Sequence, residues 1–282
     1  MTTAFYIITR CPDRATKRLA DSLVGQVDVV GVAYDEPSDD MPERARAVQL
    51  DTPACVATGF VGTNWPMQAK TAISWDMAML EAFRGGYDHV WFCEDDVAFC
   101  GHDTAARMIA ATRDDDTDFL CVEFNRAQEG DAWPNWRFGH PDHHKKAWAF
   151  MPLCRMSRAL LEEIDATARR DGTLTFMEVM VASLAVDAGL KTGLIGPAGN
   201  RFFRYRPFVD WFDIGFADVN GLIVHPVKDP TLRERLMFGA PLGWRERALS
   251  LIASIPFRMR RRLQGYAENF RKGYAEWRAS RG

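Results

Sequence analysis

The chain has 282 residues, 47% hydrophobic and 26% charged, with a formal net charge of −3. That describes one large or two small globular domains, and excludes whole-chain disorder and a small disulfide scaffold. It also excludes a global basic field drawing the chain to nucleic acid, although the charge is uneven: residues 243–282 carry ten Lys/Arg against three Asp/Glu, and the remainder 25 against 35.

Residues 4–9 (AFYIIT) form an apolar, β-rich run that stops at Arg10, Cys11 and Pro12, and predict a buried strand. With no basic region before it, this start reads as a first strand and not as a signal peptide. Residues 13–24 carry Leu19, Leu23 and Val24 on one helical side, and residues 27–33 (VDVVGVA) predict a second strand. Strand, helix and strand within about 30 residues make a βαβ unit with parallel pairing. Residues 37–53 are polar, hold three prolines and predict a loop, followed by a short strand at 54–57. Residues 67–84 predict an amphipathic helix stopped by Gly85-Gly86, and residues 88–93 a strand that runs into Glu94-Asp95-Asp96.

Beyond it the pattern predicts a helix over 103–113, a strand over 118–124 and a long irregular segment over 125–146. A strand over 147–154, a helix from Ser157 to about Arg170, a helix over 176–188 and strands near 191–195 and 221–225 follow. No window approaches the roughly 18 apolar residues of a membrane-spanning helix. The six cysteines include no CxxC and read as reduced thiols of a cytoplasmic protein.

Three adjacent carboxylates repel one another, and placing them together is costly unless a cation offsets them. In open α/β sheets ligands sit beyond the carboxyl ends of the strands, which is where Glu94-Asp95-Asp96 falls. Hard oxygen donors of this kind suit Mg²⁺ or Mn²⁺ shared with substrate phosphates. The plainer alternative is a solvated acidic turn, against which stand the apolar runs on both sides.

The stretch from Lys70 to Phe99, KTAISWDMAMLEAFRGGYDHVWFCEDDVAF, resembles the centre of a glycosyltransferase of the GT-A fold. The resemblance implies an α/β fold with a Rossmann-like mixed sheet flanked by helices, a Mn²⁺ or Mg²⁺ ion and a nucleotide-sugar donor. Glu94-Asp95-Asp96 stands where that family has its DXD motif, with Glu replacing the usual first acid. Asp96 would then be a metal ligand, and Lys70, Glu94 and Asp95 would face the nucleotide. The opening βαβ unit is similar to the family's nucleotide half, with Thr9 and Arg10 after the first strand and Asp35 after the second. FMEVMVASLAVDAG (176–189) resembles the motif that carries the family's catalytic base at Glu178, although Met177 replaces the acid that usually precedes it. GLIVHPVKD places His225 like the late histidine that completes the metal site, with Lys228 in reach of a phosphate.

The resemblance implies transfer of a sugar to a hydroxyl of a glycan or lipid-linked acceptor, with inversion if Glu178 is the base. Two rivals stand beside it. A sugar-phosphate nucleotidyltransferase usually has a Gly-rich loop after its first strand, whereas TRCPDR has no glycine. A nucleotide- or glycan-binding protein of the same fold would lack turnover. His140, His143 and His144 lie in a hydrophilic loop and read as solvated or acceptor-contacting more than as a zinc site. Trp133, Trp136 and Phe138 beside them either stack on a sugar or pin that loop.

The expected organisation is a catalytic domain over 1–235 and a basic, amphipathic helical tail over 236–282. Tyr266, Phe270, Tyr274 and Trp277 recur at three- or four-residue spacing among arginines, and Pro256 breaks or kinks the helix. Such a tail implies contact with a membrane surface or a homodimer partner, and a peripheral location at the inner face of the membrane.

Overall fold

The computed structural model describes residues 1–63, 71–127, 146–195, 202–203 and 221–239. Its first strand, β1 (Thr3–Thr9), is the expected apolar run. Asp13 then starts α1 (Arg14–Leu23) by accepting the Thr16 amide at 2.9 Å. β2 (Val29–Tyr34) lies parallel to β1, so the βαβ unit is as expected.

Further along come β3 (Arg46–Gln49), α2 (Thr52–Thr58), α3 (Ser74–Gly85), β4 (His89–Glu94) and β5 (Ala98–Phe99). They are followed by α4 (Thr104–Ala111), β6 (Phe119–Arg126), β7 (Ala147–Ser157), α5 (Arg158–Asp171), α6 (Met177–Asp187) and β8 (Thr192–Leu194). The last described elements are β9 (Phe202–Phe203), β10 (Ile223–His225) and a helix here numbered α7 (Pro230–Phe238). A seven-stranded mixed sheet runs in the order β3-β2-β1-β4-β7-β6-β8, and a small second sheet in the order β5-β10-β9. β7 is antiparallel to both β4 and β6, while β1, β2 and β4 are mutually parallel and end at one edge.

Alternation along the central strands sorts the core into two layers. Tyr6, Ile8 and Phe92 face one way, against residues of α3, α5 and α6 such as Leu80, Leu161 and Met180. Phe5, Ile7 and Trp91 face the other, against Leu19, Met108 and Leu232 of α1, α4 and α7. The protein is therefore an α/β fold with a mixed sheet flanked by helices. Among the described residues no helix is long and apolar enough to cross a membrane.

Several local expectations need correction. The polar stretch 37–53 is not all loop: β3 lies within it as the sheet's edge, with Val48 its one buried residue. The strand expected at 54–57 is instead part of α2, because the Asp51 side chain accepts the Ala54 amide at 3.0 Å and Pro53 sits in the first turn. Of the helix expected over 67–84, residues 71–73 are not helical and α3 starts at Ser74, residues 67–70 lying outside the described residues. The Asp76 carboxylate reaches back to the Ile73 amide at 2.9 Å and Asp35 holds the Ser74 amide at 2.9 Å, which fixes the start there. β6 outruns its expected end because its pairing continues to Arg126 opposite Ala147, and β7 because its pairing with β4 continues to Ser157 opposite His89. Lys70, the histidine loop with its aromatic neighbours, and residues 240–282 lie outside the described residues.

Candidate active site at the carboxyl edge of the sheet

β4 carries the acidic triplet to the edge where β1 and β2 also end. Glu94 pairs with Ile8, and the Asp95 amide donates to the Ile8 carbonyl at 2.9 Å, so the ladder holds the triplet's backbone. The chain then turns, with the Val97 amide on the Glu94 carbonyl at 3.1 Å, into β5. β5 pairs antiparallel with β10, and this brings His225 beside the turn. The His225-Pro226 peptide bond is cis.

The three carboxylates have three different sets of neighbours. Glu94 Oε1 accepts the indole N–H of Trp75 at 3.2 Å, and its Oε2 lies 3.5 Å from His225 Nε2. Asp95 Oδ2 accepts the Thr9 hydroxyl at 2.6 Å. Asp96, only 3% exposed, has Oδ1 at 3.2 Å from His225 Nε2 and Oδ2 in an ion pair with Lys228. The Val227 amide also donates to the Asp96 carbonyl at 2.8 Å.

Burial and charge together shift the protonation of Asp95, Asp96, His225 and Lys228. Burial alone would lower the His225 pKa, but Asp96 and Glu94 outweigh it and raise it to about 9. Burial would raise Asp96, yet His225 and Lys228 hold it below the ordinary carboxylate range. Burial raises Asp95 despite the Thr9 hydrogen bond. Lys228 is raised, as its carboxylate neighbours, Asp96 foremost, outweigh its burial.

Glu178 lies in the first turn of α6. Burial and then the negative charge of Glu94 push its carboxyl up to about 8, against the opposing hydrogen bond from the Met151 amide and the charge of His225. A carboxyl so tuned exchanges its proton near pH 8 and acts as a base from its ionised form.

Donor atoms of Glu94, Asp96 and His225 all lie within 4.8 Å of one another. Two carboxylates and an imidazole suit Mn²⁺ or Mg²⁺. The buried Asp96 Oδ1, which makes no hydrogen bond of good geometry, is a donor atom such an ion would use. The residues present therefore fit a divalent cation.

The structure thus brings together Glu94, Asp96, His225 and Lys228, with Glu178 in their field, and joins Thr9 to Asp95. Glu94 stands with the candidate metal ligands, although the resemblance implied a nucleotide-facing role. Asp35 caps α3 through the Ser74 amide. Arg10 lies on the exposed rim, paired with Glu36 at 3.0 Å. Trp75 escaped sequence reasoning. Its signal was an indole N–H at the start of a helix leading into the acidic strand, since a buried indole needs an acceptor.

No protein-family model matches the chain. No curated protein matches it. Among solved structures it is similar to the apo form of mouse xyloside xylosyltransferase 1, at 9% identity and a TM-score of 0.38, over 79% of this chain and 97% of that one. It is also similar to the mannosyltransferase PcManGT from Pyrobaculum calidifontis in complex with GDP-Man and Mn²⁺, at 13% identity and a TM-score of 0.38, over 97% and 82%. A third is CMP:2-keto-3-deoxy-manno-octonic acid synthetase complexed with CTP, at 10% identity and a TM-score of 0.33, over 69% and 90%.

Proposed function

We propose that the chain is a metal-dependent glycosyltransferase of GT-A type, moving a sugar from a nucleotide-sugar donor to a hydroxyl of a glycan or lipid-linked acceptor. The observation that carries this reading is the cluster of Glu94, Asp96 and His225 at the carboxyl edge of the sheet, with the raised carboxyl of Glu178 in its field.

Glu94, Asp96 and His225 would hold Mn²⁺ or Mg²⁺, which would supply positive charge to offset that of a diphosphate leaving group. Lys228 offers its ammonium to a phosphate as a mobile point charge. Arg10 and Asp35 border the approach over β1 and β2 on the nucleoside side, and Lys70 belongs to the same proposal. Thr9 and Asp95 join the ends of β1 and β4 beneath it. Glu178 takes the acceptor hydroxyl's proton as that oxygen bonds the anomeric carbon. The bond from that carbon to the diphosphate breaks on the opposite face, and the nucleoside diphosphate leaves with the electron pair, so the anomer inverts. The basic tail over 243–282 is proposed to hold the chain at an acidic membrane surface on the cytoplasmic side.

Sugar nucleotides incubated with the chain, Mn²⁺ and a glycan or lipid-linked acceptor test the reading. Nucleoside diphosphate released in a Mn²⁺-dependent way, and lost in Asp96→Ala, supports it. Pyrophosphate released from a nucleoside triphosphate and a sugar phosphate would identify a nucleotidyltransferase instead. No thermal stabilisation by any nucleoside diphosphate with Mn²⁺ would defeat both. Vesicle co-sedimentation of the full chain and of a chain lacking 243–282 tests the tail.

A further inference from the structure

Arg233 is a charged residue in the hydrophobic layer behind the acidic triplet, only 3% exposed. It sits on α7, which no sequence motif marks. Its guanidinium pairs with Asp13, the N-cap of α1, and its Nη1 donates to the Val227 carbonyl at 3.4 Å. Asp13 spends its other oxygen on the Thr16 amide and hydroxyl, at 2.9 and 3.0 Å.

Val227 is therefore held from both sides. Its carbonyl accepts from Arg233, and its amide donates to the Asp96 carbonyl. Lys228 is the next residue and His225 lies two before, so the peptide between them is the part of the turn that Arg233 grips. The neighbouring Glu234 repeats the joint with the signs reversed, taking Arg14 at 3.0 Å and Arg18 at 2.6 Å from α1. Arg18 also lies over the Phe238 ring, 4.4 Å from its centroid. Two oppositely signed contacts fix the register of α7 on α1 more closely than apolar packing alone. Asp13 is partly exposed while Arg233 is buried, so it is the Arg233 charge that depends on the pair for compensation.

We propose that Arg233 is a positioning residue: through Asp13 and the Val227 carbonyl it sets the turn from His225 to Lys228 over the acidic triplet, and thereby the affinity of the site for a divalent cation. The affinity half of this rests on the metal reading above; the placement of the turn does not.

The full chain, R233M and the pair D13N/R233M are compared by hydrogen–deuterium exchange and by calorimetric titration with MnCl₂. Asn keeps a capping oxygen for α1, and the double variant buries no unpaired charge, so it serves if R233M alone does not fold. Exchange at the Val227 amide is expected to rise about tenfold or more in a folded variant, while amides of β1 and β4 keep their protection. Mn²⁺ affinity is expected to fall about 10–100-fold, as when an outer partner of a metal ligand is lost. Unchanged Val227 protection in the folded double variant overturns the proposal, and so does faster exchange with wild-type Mn²⁺ affinity. If the wild-type chain itself binds no Mn²⁺, the metal reading fails and the affinity half of the proposal with it. Faster Val227 exchange in the variants would then still establish that Arg233 places the turn.

Discussion

The indole N–H of Trp75 donates to Glu94 Oε1 at 3.2 Å, tying the second residue of α3 to the last residue of β4. The ring is buried and stacks on Phe92 with centroids 5.7 Å apart. A rigid helix and a rigid strand thus orient one candidate metal ligand from behind. Trp75→Phe keeps a ring and removes the donor. It is expected to cost about 1–2 kcal/mol of stability and about tenfold or more in Mn²⁺ affinity. Thermal melts and calorimetry measure the two separately, and unchanged affinity would contradict the orienting role.

Metal binding should release a proton. With a pKa of about 9, His225 is protonated at pH 7.5, and an imidazole must lose that proton to ligate a metal. Apparent Mn²⁺ affinity is therefore expected to rise with pH up to about 9 and level off above it. Titrations at pH 7.5 in buffers of different ionisation enthalpy should show about one proton released per ion. A pH-independent affinity would remove His225 from the ligand set.

How far the residues alone disclosed all this depended on distance along the chain. β1, α1 and β2 were readable because apolar runs and the helical spacing of Leu19 and Leu23 are local signals. β3 was not, because an edge strand with one buried residue leaves no apolar run. α2 was misread because Cys55-Val56-Ala57 resembles a short strand, while its deciding cap, Asp51, lies just outside it. The acidic triplet stood out at its strand end, and His225 and Glu178 entered through a family resemblance. No spacing rule joins Asp96 to a histidine so distant in sequence. Trp75 and Arg233 were silent because each acts through a contact that only the folded chain creates.

In the proposed reaction Glu178 would set catalysis against stability. Its pKa of about 8 in the folded chain lies above the ordinary 4.5, so between those values the folded protein holds a proton the unfolded chain has released. Stability thus falls as pH rises from about 4.5 to about 8, and the full penalty remains above that range. Glu178→Gln carries no such penalty. At pH 8 the metal-free variant is expected to be more stable by on the order of 1 kcal/mol or more. Glycosyl transfer is expected to fall about 10²–10⁴-fold, as for loss of a general base. A variant that kept full transfer, or a product of the donor's anomeric configuration, would refute an inverting role.

Arg155 provides the contrast. Buried on β7, it donates to the carbonyls of Thr112, Asp115 and Thr117 at 2.6, 2.7 and 2.9 Å, pinning the turn between α4 and β6. Arg155→Met is expected to cost about 3–5 kcal/mol, because three carbonyls lose a charged donor. Below its lowered melting temperature, Mn²⁺ affinity should match that of the wild type. A loss of affinity in the folded variant would show that the scaffold and the site are not separable.

The fanning of Glu94, Asp95 and Asp96 toward α3, β1 and the turn after β10 has a consequence for how the centre is completed. One short peptide is shared by an early strand, a middle helix and the last described part of the chain. The first two can engage as soon as the sheet begins to form. Asp96 must wait for residues 225–228, so until that segment docks it has neither His225 nor Lys228 as a counter-charge. In the proposed site the capacity to hold a cation would therefore arise only when residues 225–228 dock, and would be lost if they peeled away, even with the sheet intact.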